Sequence, residues 1–205
     1  MTKKTYERVS SIKRITNETQ INVRINLDGS GQNSINTGVP FFDHMIQQLS
    51  KHSLIDIDIR CKGDLEIDSH HTIEDVGWAL GEAINVALGK KQGIKRYSFT
   101  YLPMDECLTR CCIDISGRPW LVWNVFLPNV TIKDIQTEIF REFFQSFSQS
   151  AKFTLHIENI YGQNTHHIIE SCFKSMAISL RNAINLDFRN LDSVPSTKGT
   201  LTGNK

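Results

Sequence analysis

The sequence predicts an α+β fold: two copies of a βαβ-rich half-domain, with helices packed on one face of mostly antiparallel sheets. Three observations carry this. Some short segments alternate apolar and polar residues with the period of half-buried strands. Longer segments space their apolar residues three and four apart, as one helix face does. The same order of segments then occurs a second time, the mark of an internal duplication.

In the first half, Ile21-Asn-Val-Arg-Ile-Asn-Leu27 alternates as a strand, and Asp28-Gly29 marks a turn. A short helix from about His44 carries Met45, Ile46 and Leu49 on one face. Ile55, Ile57, Ile59 and Cys61 alternate again. A long helix starts near His70, with Ile73, Val76, Leu80, Ala83, Ile84, Ala87 and Leu88 at helical spacing and Gly89 at the C-terminal cap.

The second half repeats the order. Thr109 to Ile115 and Leu121 to Leu127 read as strands, Ile139 to Ser150 as a helix, and Phe153, Leu155 and Ile157 as a strand. A long helix from about His166 places Ile169, Cys172, Phe173, Met176, Ala177, Leu180 and Ile184 on one face. A shift of 98 residues lays His44-Met-Ile-Gln-Gln-Leu-Ser on Glu142-Phe-Phe-Gln-Ser-Phe-Ser, and Ile55-Asp-Ile-Asp-Ile on Phe153-Thr-Leu-His-Ile. A shift of 96 lays His70-His-Thr-Ile-Glu on His166-His-Ile-Ile-Glu. The expected organisation is a ββαβα-type half over residues 1–92, its repeat over 93–192, and a polar tail over 193–205 that is mobile or ordered only by a ligand. The whole forms one compact unit.

Composition narrows the function classes. With 205 residues, 23 basic against 22 acidic and a net charge of +1, the chain has no basic excess that would suit nucleic acid. No apolar run marks a signal peptide or a membrane helix. Five cysteines with no Cys-x-x-Cys pair read as reduced core residues of a cytoplasmic protein and exclude a thiolate zinc site.

The chemistry concentrates in the duplicated His-His-x-x-Glu. Residues four apart share a helix face, so His70 with Glu74, and His166 with Glu170, can each chelate one ion. His71 and His167 point about 100° away and suit an ion supplied by another helix. Two motif copies suggest two ions, each drawing ligands from both copies, with His44 and its repeat partner Glu142 as further ligands. Imidazole and carboxylate without thiolate suit Mn, Fe, Co, Ni or Zn. A lone His-His pair is most simply a surface or capping pair; two, each followed by Glu at the same spacing, are not. The His-Glu-x-x-His pattern of metalloproteases is absent.

Arg96, Arg118 and the Ser196-Thr-Lys-Gly199 stretch combine cations, hydroxyls and glycine, which suits a phosphate. No Walker or Gly-x-Gly-x-x-Gly motif points to ATP or a dinucleotide. Asp105-Glu106 reads as a turn that could orient a ligand histidine, and Asp75 as a residue that orients His71 or faces solvent.

Taken together, these segments resemble imidazoleglycerol-phosphate dehydratase, an enzyme family of histidine biosynthesis. The resemblance lies in Arg14-Ile-Thr-Asn-Glu-Thr19, Thr37-Gly-Val-Pro-Phe-Phe-Asp-His-Met45, Gly63-Asp-Leu-Glu-Ile-Asp-Ser-His-His-Thr-Ile-Glu-Asp75, Pro103-Met-Asp-Glu106, Asp114-Ile-Ser-Gly-Arg-Pro119, His166-His-Ile-Ile-Glu170 and Pro195-Ser-Thr-Lys-Gly199. It implies a monofunctional hydro-lyase with two Mn(II) ions per active site, and a closed 24-subunit shell with active sites at subunit contacts. It implies metal ligation by His44, His70, His71, Glu74, His166, His167 and Glu170. Glu142 stands where other members carry His, and Ser98 where a Gly is more usual. It also implies substrate binding by Arg96, Arg118, Ser196, Thr197 and Lys198, a proton-transfer role for Glu18, and catalytic roles for the ligand residues His44, His71, Glu74, His167 and Glu170. The implied reaction turns imidazoleglycerol phosphate into imidazole acetol phosphate and water through a metal-bound imidazolate and a diazafulvene. Two rival readings use the same residues: a binuclear metallohydrolase acting on a phosphorylated small molecule, and a non-catalytic module in which metals staple an oligomer.

Overall fold

The computed structural model describes residues 7–128 and 130–201. In the first half come β1 (Val9–Ile15), β2 (Thr19–Asn26), β3 (Asn33–Asn36), α1 (Pro40–Ser53), β4 (Asp56–Gly63) and α2 (His70–Leu88). In the second come β5 (Tyr97–Met104), β6 (Cys107–Asp114), β7 (Trp120–Asn124), a small hairpin of β8 (Thr131–Ile132) and β9 (Ile135–Gln136), α3 (Ile139–Ala151), β10 (Thr154–Tyr161) and α4 (Thr165–Ile184).

The two four-stranded sheets have the same connectivity, β1-β2-β4-β3 and β5-β6-β10-β7. In each, three strands pair antiparallel and the last edge strand runs parallel to its neighbour. The α+β class and the duplication therefore hold. The repeating unit is βββαβα rather than ββαβα, because β1, β3 and β5 lack an inward apolar alternation. Strand β1 turns Ser10, not a large apolar residue, into the core, where its hydroxyl donates to the Ala83 carbonyl oxygen at 2.7 Å. Strand β3 has one apolar residue, Ile35. Strand β5 is inverted: Tyr97, Phe99 and Tyr101 are exposed, while Ser98 and Thr100 face inward.

Helices α2 and α4 lie on the sheets of their own halves, and each packs against the short helix of the other half, α2 on α3 and α4 on α1. Glycine permits the closer of these crossings. A Cβ at Gly77 would stand 2.8 Å from the Phe143 carbonyl oxygen, and one at Gly81 would stand 2.5 Å from that of Phe147. Between the layers Phe140, Phe143, Phe144, Phe147 and Phe173 form one buried aromatic cluster, Phe143 and Phe173 with centroids 4.9 Å apart. Among the described residues no helix is long and apolar enough to cross a membrane, and all five cysteines are free thiols.

The tail is a correction. Far from being loose, residues 187–201 strap across the second half. Gly93 N–H donates to the Ser193 carbonyl oxygen, and the Gln92 amide donates to that of Asp192. The Arg96 guanidinium donates to the Pro195 carbonyl oxygen at 2.7 Å, and Leu201 is buried. Hydrogen bonds to its backbone carbonyls and one apolar anchor hold this segment in place. Residues 202–205 lie outside the described residues.

Candidate metal centre

Both His-His pairs occupy the first turn of a long helix. The backbone N–H of His70 donates to the Asp68 carboxylate at 2.7 Å, and that of His166 to the Asn164 side-chain oxygen at 2.9 Å. These side chains satisfy orphan donors at the helix start, so the imidazoles remain free for other work. The four-residue spacing behaves as expected: His166 Nε2 is 2.9 Å from Glu170 Oε2, and His70 Nε2 is 3.4 Å from Glu74 Oε2.

The α1–α4 packing brings His44 Nε2 to 3.3 Å from the same Glu170 oxygen. Ligand atoms of His44, His166 and Glu170 lie within 4.8 Å of one another, and no other described group of three His, Cys, Asp or Glu does. One of these residues comes from the first half and two from the second, and only one copy of the His-His-x-x-Glu motif takes part. The Glu170 carboxylate is only 7% exposed. Burial alone would favour its neutral form, but Lys174, His166 and His44 outweigh this and lower its pKa. A buried carboxylate held charged between two imidazoles, with no thiolate beside it, fits a divalent transition-metal ion.

The other half-site is looser. His70, Glu74 and Glu142 are its counterparts. His70 and Glu142 line one cavity of about 480 Å³ together with Trp123, Phe126 and Leu127. The Glu142 carboxylate accepts from Arg141 at 2.7 Å.

His71 and His167 point elsewhere, as the helical geometry requires, and each has its Nδ1 against a carboxylate: His71 at 2.9 Å from Asp64, His167 at 2.7 Å from Glu106. The Asp64 hydrogen bond raises the pKa of His71. Glu106 accepts from the backbone N–H of Asn164 at 2.8 Å and of Gln163 at 3.1 Å, and these bonds with His167 lower its pKa to about 2. The sequence had marked Glu106 as such a partner but missed Asp64, since residues seven apart around a loop obey no spacing rule. Asp75 does not orient His71; its carboxylate is taken by Arg14 at 2.9 Å and by the Thr19 hydroxyl. Glu18 Oε1 is 3.7 Å from His71 Nε2.

The phosphate candidates lie on the strap or on the segments it crosses. Arg118 is exposed next to Gly117, where the strap passes so closely that a Cβ would overlap the Leu201 carbonyl. Thr197 and Lys198 are exposed, and Ser196 Oγ accepts from the Lys198 N–H at 3.1 Å, shaping a tight turn. Arg96 differs from a free phosphate ligand. Its side chain is 11% exposed, with Nε 2.7 Å and Nη2 3.2 Å from the Asp114 carboxylate, and its third contact goes to Pro195.

Known proteins match this chain along nearly its whole length. Residues 37–180 match the family described as imidazoleglycerol-phosphate dehydratase. The chain is 53% identical to the imidazoleglycerol-phosphate dehydratase of Sinorhizobium fredii over 96% of its length and 98% of the relative's. It is 55% identical to that of Ruegeria pomeroyi over 95% of its length and all of the relative's. Its fold superimposes on the crystal structure of the Staphylococcus aureus dehydratase with a TM-score of 0.80 at 36% identity, covering 87% of this chain and 99% of that one. The Pyrococcus furiosus crystal structure gives 0.80 at 30% identity, over 93% and 100%. With relatives this similar along nearly its whole length, the chain belongs to the imidazoleglycerol-phosphate dehydratase family.

Proposed function

We propose that this chain dehydrates imidazoleglycerol phosphate to imidazole acetol phosphate in histidine biosynthesis, with the His and Glu residues at the two helix starts as its metal ligands. The observation that carries the proposal is the triad of His44, His166 and Glu170, drawn from both halves and close enough to share one ion. The relatives' names give the reaction; none of them supports the hydrolase reading.

Two divalent ions, Mn(II) in this reading, would supply Lewis-acid charge to the substrate's imidazole ring. The rest of the chemistry falls to this chain. Glu18, half exposed beside His71, takes and returns the proton at the substrate's carbon chain through its Oε1. Asp64 and Glu106 hold Nδ1 of His71 and His167, so that Nε2 of each faces outward as the ligand atom. Arg118, Ser196, Thr197 and Lys198 bind the phosphate. Arg96 acts on the same group by holding Pro195, and with it the turn that follows.

Within one chain the His71 and His167 ring nitrogens belong to separate carboxylate pairs, away from the triad. We therefore assign them to ions completed by neighbouring copies in a cytoplasmic homo-oligomer, a 24-subunit shell in this reading. The halves 1–92 and 93–192 act as one unit, with the tail 193–205 serving the phosphate. Incubation of the Mn-loaded protein with imidazoleglycerol phosphate tests the reaction. Imidazole acetol phosphate is the expected product; unchanged substrate, with two ions verified as bound, would overturn the assignment.

A further inference from the structure

The internal repeat also shows where the two halves differ. Glu142 stands in the place of His44, and Trp78 in the place of Lys174. Both exchanges fall at the metal positions, and both push in the same direction.

At the α1–α4 position, Glu170 offers Oε2 beside two imidazoles while its other oxygen is 2.6 Å from Lys174 Nζ. The donor set is two nitrogens and one carboxylate whose charge is shared with an ammonium. At the α2–α3 position the repeat supplies one imidazole, His70, 3.4 Å from Glu74, and a second carboxylate, Glu142, on the cavity that His70 lines. No lysine accompanies Glu74, since Trp78 stands there and lies under the Arg14 guanidinium at 4.7 Å. The cation on Glu142 is Arg141, whose side chain is 50% exposed, against 21% for Lys174. Solvent screens the first pair more than the second. Oxygen-rich, anionic sites suit hard ions such as Mn(II), and imidazole-rich sites hold Zn(II) with a larger advantage. His71 and His167 come from the same motif and add an imidazole to each position alike, so the contrast survives them.

We infer that the two metal positions of this protein are unequal, and that Glu142 makes the His70–Glu74 position the harder and more manganese-selective of the two. The inference rests on the two-ion reading given above.

Titrating Zn(II) into full-length protein loaded with Mn(II) tests it, with released Mn(II) followed by its aqueous EPR signal. Release is expected in two phases of one ion per chain, the second needing at least about tenfold more free Zn(II). In Glu142→His the two phases merge. Glu142→Gln, which keeps the side-chain shape, moves the late phase to lower Zn(II) by at least about threefold and serves if the histidine variant does not fold. A single phase in the unaltered protein overturns the inference, as does a late phase that neither variant moves. Fewer than two Mn(II) bound per chain at the outset overturns the two-ion reading itself, and the inference with it.

Discussion

His167 Nδ1 stands 2.7 Å from the Glu106 carboxylate, and the same carboxylate accepts the backbone N–H groups of Gln163 and Asn164 just before α4. One side chain from the β5–β6 turn thus fixes both the start of the helix and the ring orientation of a histidine on it. In the first half the two jobs are divided: Asp64 holds the His71 ring at 2.9 Å, Asp68 accepts the His70 N–H at the helix start, and the Asp64 backbone N–H donates to the Glu18 carbonyl oxygen at 3.1 Å.

Removing either carboxylate is expected to weaken metal binding with the fold kept. Asp64→Ala and Glu106→Ala should each lower Mn(II) affinity by about 10–100-fold, the usual cost of losing a partner that orients a ligand histidine. Equilibrium Mn(II) binding by EPR measures this, with circular dichroism as the check on folding. Affinity unchanged in both variants would remove the orienting role.

Glu106 also gives a pH dependence with a definite sign. Its pKa in the folded protein is lowered to about 2, so its contribution to stability is present above the ordinary glutamate range and is lost as pH falls through about 2. The unaltered protein should be more stable than Glu106→Gln at pH 7, with the difference shrinking steadily below about pH 4. Denaturant unfolding of metal-free protein across that range reads it; a difference that stayed constant to pH 2 would contradict it.

Gly117 has φ 76°, and a Cβ there would overlap the Leu201 carbonyl. Gly117→Ala should displace the strap, and with it the turn of Ser196, Thr197 and Lys198. The expected result is KM for the phosphorylated substrate raised about tenfold or more, with Mn(II) affinity unchanged, because Gln92, Gly93 and Arg96 hold the strap. A change in metal affinity with KM unaltered would sever the strap from phosphate binding.

Glu18 is assigned the proton transfer. Glu18→Gln keeps the shape and loses the basic oxygen, so kcat should fall at least about 100-fold while metal and substrate still bind. Full turnover in that variant would move the role elsewhere.

The sequence made legible those elements whose inward faces are apolar. Strands β2, β4, β6 and β10 turn residues such as Ile21, Ile59, Cys111 and Leu155 into the core, so alternation marks them. Strand β5 stayed hidden because its aromatic residues face outward, and β1 because the Ser10 hydroxyl, not hydrocarbon, meets α2. The site divides in the same way. His70 with Glu74 and His166 with Glu170 obey a local helical rule, while the approach of His44 to Glu170 depends on the α1–α4 packing. Asp64, and the capture of Arg96 by Asp114 and Pro195, depend on how loops return in space, which no local period encodes.

The central claim is that these helix-borne His and Glu residues perform the dehydration through the metal they hold. Its most direct test is turnover of imidazoleglycerol phosphate by metal-stripped protein before and after addition of Mn(II), with the acetol product followed by absorbance. The expected result is no product without metal and full turnover once Mn(II) is restored, with His166→Ala inactive in both states. Equal turnover by the stripped protein, or by His166→Ala, would contradict it.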